Sequence, residues 1–201
     1  MPAEPVVGVA AFDFDGTLIR GASMGPFLME MLGWRPGAAK MLAAGPSMIG
    51  AYCRAGRGGA KVELIDRLLA GFPIVEAEAA GRRFGARLAT RVRPSMAERV
   101  AWHRRQGHRL VIVSASLELY LVATAAALQF DGVLATRLEE GEDRRLTGRL
   151  LGANCRGAEK ETRLRGWLAD HLGEQSYRLW AYGDSHGDDE LLAMADTAIR
   201  V

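Results

Sequence analysis

At 201 residues the chain has room for one domain, or for one domain carrying a smaller insert. Its hydrophobic fraction of 49% supports a sizeable core, and a formal net charge of +2 implies no nucleic-acid or membrane-surface partner. No apolar run reaches the ~18 residues that a bilayer span needs. The start, Met1-Pro2-Ala3-Glu4-Pro5, lacks the basic region of a signal peptide, so a cytoplasmic location is expected. Cys53 and Cys155 lie far apart and form no metal pattern, which reads as two reduced thiols. Lys40, Lys61 and Lys160 are the only lysines among 26 basic residues.

Val6 to Phe12 is a short Val-rich apolar run, the pattern of a strand buried on both faces of a parallel sheet. It leads into Asp13-Phe14-Asp15-Gly16-Thr17. Side chains at i and i+2 of an extended segment point the same way, so Asp13 and Asp15 are expected to share one small space. Two carboxylates there call for a cation or a shared proton. Asp-x-Asp alone also describes a strand ending in a polar turn.

From Gly21 to about Arg93 the pattern is helical and contains no convincing strand. The spacing predicts a helix over Phe27 to Leu32, closed by Gly33 and Pro36, and a second over Ala38 to Tyr52, broken by Gly56 to Gly59. Val62, Ile65, Leu68, Leu69 and Phe72 recur at helical spacing, with Gly71 and Pro73 marking the end. Val75 to Leu88 is a further helix, with Arg83, Arg87 and Arg91 on one stripe that reads as a solvated face. Residues 21–94 are therefore expected to form a helical insert of small-subdomain size, contributing apolar side chains such as Phe27, Met31 and Met48. Residues 1–20 and 95–201 form the core.

From Pro94 helices and strands alternate. Ser95 to Gln106 is a helix. Arg109 to Val113 is a buried strand running into Ser114-Ala115-Ser116, followed by a helix over Leu117 to Leu128. Phe130 to Leu138 and Arg144 to Leu151 read as two strands joined by a turn at Glu140 to Asp143. Ala158 to Leu172 is a helix carrying Lys160. Arg178 to Tyr182 is a strand ending in Gly183-Asp184-Ser185-His186-Gly187-Asp188. Leu191 to Ala195 is a helix and Thr197 to Val201 a strand. The alternation implies an α/β, Rossmann-like parallel sheet with helices on both faces.

Ligands of such sheets bind beyond the carboxyl ends of the strands, where Asp13, Asp15, Ser114, Asp184 and Asp188 would converge with Lys160. The acidic groups suit Mg²⁺, which takes oxygen ligands from one or two carboxylates plus phosphate. Ser114, neighbouring backbone N–H groups and Lys160 would donate to phosphate oxygens. Taken singly, Ser114 and Asp188 also read as helix caps, and Lys160 as a solvated side chain. His103, His108, His171 and His186 receive no role. Nothing in the sequence fixes an oligomeric state.

Asp13-Phe14-Asp15-Gly16-Thr17, Ser114-Ala115-Ser116, Lys160 and Gly183 to Asp188 resemble, in order and spacing, the four motifs of the haloacid-dehalogenase-like hydrolases. The helical insert is similar to the cap of the phosphoserine-phosphatase-type branch. The resemblance implies a Mg²⁺-dependent phosphatase acting on a small phosphate ester. It implies that Asp13 is the nucleophile that becomes an aspartyl-phosphate and Asp15 the acid and then base. Asp13, the Asp15 backbone carbonyl, Asp184 and Asp188 would serve the metal. Asp15, Gly16, Thr17, Ser114, Ala115 and Lys160 would surround the phosphoryl group. Phosphoserine-specific relatives carry an acidic residue near the position of Ala22 and a cap arginine near Glu63 and Ile65, so phosphoserine itself is not the expected preference. They also often continue beyond the position of Val201. A different class, a phosphate-sensing binding protein like the receiver domains, lacks the first Asp-x-Asp, the late acidic loop and the cap.

Overall fold

The computed structural model describes residues 6–201, and in the long helix over Trp34–Leu69 nothing is drawn from the side chains of residues 34–41, 44, 46, 48, 51, 52 and 54–58. The expectation placed on Met48 lies outside the described residues. The elements run β1 (Val7–Phe12), α1 (Met24–Leu32), α2 (Trp34–Leu69), α3 (Ile74–Ala89), α4 (Pro94–Arg105), β2 (Arg109–Leu117), α5 (Glu118–Ala127), β3 (Gly132–Thr136), β4 (Leu138–Glu140), β5 (Leu146–Leu150), α6 (Ala158–Leu172), β6 (Tyr177–Gly183), α7 (Asp189–Ala193) and β7 (Thr197–Arg200).

Five strands form one parallel sheet in the order β3-β2-β1-β6-β7, with β1 at its centre. Its period-two alternation serves two cores at once. Ala10 and Phe12 face the cluster that includes Met96, Val100, Tyr120 and Leu121 of α4 and α5. Val9 and Ala11 face Leu164, Leu168 and Leu191 of α6 and α7. This is the two-sided burial that an unbroken apolar run demands. The Phe12 ring stacks on Tyr182 of β6 at 4.4 Å.

The structure differs from the sequence reading at three places, two of them in the insert. Gly56 to Gly59 do not break the second helix, and α2 is continuous over 36 residues. Glycine in a helix costs about 1 kcal/mol each relative to alanine. The apolar run at Leu64, Ile65, Leu68 and Leu69 is buried in the same core cluster as Phe27 and Leu28 of α1 and sets that cost aside. Pro36 does not close α1. It falls in the first turn of α2, where its missing N–H is not needed. The stretch Phe130 to Leu138 divides. β3 joins the main sheet, and only the three residues of β4 pair antiparallel with β5. That hairpin receives the α2–α3 connection, with Gly71 N–H donating to Leu146 O and Leu146 N–H to Phe72 O. Arg83, Arg87 and Arg91 are exposed, and Arg87 pairs with Glu30 of α1, as a solvated stripe should.

Helix α3 packs on α5 at backbone contact. A Cβ on Gly81 or Gly85 would stand 2.2 Å from the Leu119 or Tyr120 carbonyl oxygen. The Thr124 hydroxyl donates to Gly85 O across the same contact.

Below the sheet, His103 is buried, with Nδ1 2.8 Å from His108 Nδ1 and Nε2 2.8 Å from the Tyr182 hydroxyl. Burial, then His108 and Arg99, push its pKa down from 6.5 to about 4. The unfolded chain therefore takes this proton at a higher pH than the folded one. The stability the neutral ring contributes is complete above pH 6.5 and is lost as pH falls toward 4. The melting temperature of the wild type should fall more steeply across that window than that of His103→Gln. Parallel slopes would show that this ring is not responsible.

Candidate active site

Parallel strands deliver their carboxyl ends to one edge, and a pocket of about 370 Å³ opens there. Asp13, Asp15, Gly16, Ser114, Ala115, Lys160, Asp184 and Asp188 all line it. Thr17 does not. It is fully buried beneath the turn, where its hydroxyl completes no hydrogen bond yet lies close enough to Asp184 to favour that carboxylate.

Asp13 follows the last residue of β1, with its N–H bonded to Tyr182 O of β6. Its carboxylate accepts from the Lys160 ammonium at 2.6 Å, and the same ammonium donates to Asp188. All three groups are buried. Burial raises the Asp13 pKa to about 6, with Lys160 pulling against that rise. For Lys160 burial acts downward, but the two carboxylates prevail and its pKa is raised. For Asp188 burial acts upward, but Lys160 and the Ser185 donors hold it below the usual carboxylate range. Asp184, at the edge of the group, is raised by burial and by Asp188.

The second oxygen of Asp188 accepts from Asp184 N–H (3.3 Å), Ser185 N–H (2.9 Å) and the Ser185 hydroxyl (2.9 Å). The carboxylate thus ties the single 3₁₀ turn at His186–Asp188 back to its start and does not cap α7. Ser114 does not cap α5 either. Its Oγ accepts from Ser116 N–H at 3.2 Å.

One carboxylate oxygen each of Asp13, Asp184 and Asp188 lies within 4.8 Å of the others. This hard oxygen set fits a small divalent cation. The turn leaves room for it. Gly16 has φ +87°, and a Cβ there would stand 2.2 Å from Asp184 Oδ2. Arg93 donates to Gly16 O at 2.8 Å and fixes the turn from outside.

Asp15 is placed differently from the expectation. The chain leaves strand geometry after Phe12, so the alternation that would set Asp13 and Asp15 side by side no longer applies. The Asp15 carboxylate is outside the three-oxygen group. It accepts from Ser23 N–H (3.0 Å) and the Ser116 hydroxyl (2.7 Å), and Ser23 Oγ lies 2.8 Å from the buried Tyr120 hydroxyl. Sequence reasoning missed Ser23 and Ser116 as its partners, and Tyr120 behind Ser23. Ser116, two residues past Ser114 on an extended strand, carried a legible signal. Lys61, Arg156 and Ser185 also line the pocket without having been singled out.

The sequence profile described as haloacid dehalogenase-like hydrolase matches residues 10–193. The chain belongs to this family. It is 35% identical over 199 residues to Protein CicA of Caulobacter vibrioides, covering 98% of this chain and 86% of that protein. It is 31% identical over 102 residues to the histidinol-phosphatase of Neisseria meningitidis, covering 49% of this chain and 46% of that one. A solved protein of unknown function from Bordetella pertussis superposes with a TM-score of 0.80 at 23% identity, over 98% of this chain and 90% of that chain. A phospho-aspartyl intermediate analogue of phosphoserine phosphatase superposes with a TM-score of 0.65 at 19% identity, over 98% and 87%. These two share the fold. The chain is a haloacid dehalogenase-like hydrolase with phosphatases among its relatives.

Lys160→Met leaves two buried carboxylates facing each other without a counter-ion. Removing one partner of a buried pair costs about 3–5 kcal/mol. Urea unfolding at pH 7.5 should show a loss of that order, and a loss below about 1 kcal/mol would mean that the ammonium does not hold the site together.

Proposed function

We propose that this hydrolase is a Mg²⁺-dependent phosphatase that cleaves small soluble phosphomonoesters through an aspartyl-phosphate on Asp13. The observation that carries the reading is the division between two carboxylates. Asp13 sits on the Lys160 ammonium inside the oxygen cluster, while Asp15 is turned aside onto hydroxyl and amide donors. In this reading Asp13 attacks and Asp15 handles a proton.

An Asp13 oxygen attacks phosphorus while the bond to the ester oxygen breaks, and Asp15 protonates that leaving oxygen. Asp15, now ionised, takes a proton from water, whose oxygen attacks the aspartyl-phosphate and releases phosphate and free Asp13. The Ser23 amide and the Ser116 hydroxyl donate to the Asp15 carboxylate and fix its orientation. Ser114, backbone N–H groups beside Gly16 and Ala115, and Lys160 hold phosphoryl oxygens. Mg²⁺ held by Asp13 and Asp184, with the Asp15 backbone carbonyl and with Asp188 in support, would neutralise charge between the attacking carboxylate and the phosphate dianion.

In this reading residues 21–94 act as a cap over a core of residues 1–20 and 95–201, and the cap selects the ester. Ala22, Met24 and Lys61 bring the insert into the pocket. Among the described lining residues the carboxylates are Asp13, Asp15, Asp184 and Asp188, all engaged by the chemistry. That leaves no acid for a substrate ammonium and argues against a dedicated phosphoserine site.

Asp13→Asn, or exhaustive EDTA treatment of the wild type, should lower p-nitrophenyl phosphate turnover by roughly 10³-fold or more, because the nucleophile or the charge neutralisation is gone. Full activity in either case sinks the mechanism. Phosphate binding without turnover in the untreated wild type would favour a binding protein instead.

Across phosphoserine, phosphoethanolamine, phosphocholine, glycerol phosphates and sugar phosphates, kcat/KM should vary without a strong phosphoserine preference. A phosphoserine lead of ~10³, roughly 4 kcal/mol of transition-state discrimination, would refute the reading of Ala22.

A further inference from the structure

We propose that Lys61 is a positioning residue through which the helical insert sets the phosphate-binding groups of the core. The proposal rests on the phosphatase reading above. Lys61 lies in the last turns of α2, yet its ammonium makes its hydrogen bonds to the core. It donates to Ala115 O, to Thr136 Oγ1 at 3.1 Å and to Asn154 Oδ1 at 2.8 Å.

These acceptors are already joined. The Thr136 hydroxyl is 2.8 Å from Ala115 O and 2.9 Å from Asn154 Oδ1, and it accepts from Cys155 N–H at 3.2 Å. One ammonium therefore ties three segments: the end of β2, the end of β3 and the loop that leads into α6. Ala115 separates Ser114 from Ser116, the residue that holds Asp15. Asn154 lies six residues before Lys160 on the same loop-to-helix path. Displacing this cluster shifts Ser114, Ser116 and Lys160 together.

The residue type suits the place. An ammonium offers three donors in a tripod, and three acceptors meet it here. A planar guanidinium cannot reproduce that arrangement. Lysine is scarce in this chain, with three among 26 basic residues. Among the described residues no carboxylate bonds to the ammonium, and burial draws its pKa down to about 8, a cost that an apolar side chain in the same position would avoid. Lys61 also lines the pocket beside Ser114 and Asp15, so the tie lies against the substrate space itself.

The test compares wild type, Lys61→Met and Lys61→Arg by calorimetric binding of inorganic phosphate with Mg²⁺ present, by kcat and KM for two esters with different leaving groups, and by thermal melting. The expected result is a phosphate Kd raised at least about tenfold, ~1.4 kcal/mol, in both variants. Activity should be lost by a similar factor on both esters, because the phosphoryl end is common to them. A lowered melting temperature with unchanged phosphate Kd would show a purely structural tie and overturn the proposal, as would restoration by Arg. Should Lys61→Met fail to fold, Thr136→Val decides. A phosphate Kd raised threefold or more supports the proposal, and an unchanged one overturns it. Phosphate binding weakened by Lys61→Met in a protein that hydrolyses nothing would sink the phosphatase reading and leave this one standing. Hydrolysis that needs Asp13, with phosphate affinity indifferent to Lys61, would do the reverse.

Discussion

The ammonium of Lys160, buried between Asp13 and Asp188, is the interaction on which the site depends. Two buried carboxylates at a strand edge repel each other, and each alone would carry a large desolvation cost. One lysine from the first turn of α6 removes both problems and links three distant parts of the chain, since Asp13 follows β1 and Asp188 closes the turn after β6. The second oxygen of Asp188 is consumed by Ser185 and the Asp184 amide. Asp184 is thereby left as the more open carboxylate of the three. The sheet supplies the frame, because β1 lies between β2 and β6 in strict parallel register and every strand end meets the same edge.

Around that pair the two ends of the insert are tied to the turn and to each other. Arg93 donates through its backbone to Leu18 and through its side chain to Gly16, so the chain leaving the insert grips the chain entering it. Ser23, just before α1, holds Asp15 from the same side. The entry and exit of the insert are thus part of the construction of the turn that carries the two aspartates.

Much of this arrangement could be read in the sequence, for a physical reason. A buried parallel strand has to be an apolar run, and its polar residues have to wait for the edge. Val9 to Phe12 followed by Asp13, and Leu179 to Gly183 followed by Asp184, obey that rule, whereas Ser114 sits inside β2, which runs on past the expected end at Val113 to Leu117. What could not be read depends on tertiary contact. The separation of Asp15 from Asp13 follows from a turn whose shape is fixed by Arg93, some 77 residues away. Lys61 meets its acceptors on three other segments, which no local pattern announces, and α2 runs unbroken through glycines whose local preference points to a stop. The three-residue β4 is too short to show alternation, and its partner β5 was visible only as the other half of a longer hairpin.

The glycine contact between α3 and α5 bears on how this enzyme can change over time. With backbones touching at Gly81 and Gly85, no side chain larger than hydrogen fits at either position, and the α3–α5 interface tolerates little drift. α3 is in effect a fixed wall belonging to the core, although it is encoded inside the insert. With the proposed role of the insert, inherited variation in what the pocket accepts has more freedom on the other side, at the entry segment near Ala22 and Met24. The two halves of one contiguous insert are therefore expected to diverge at different rates among descendants of this chain.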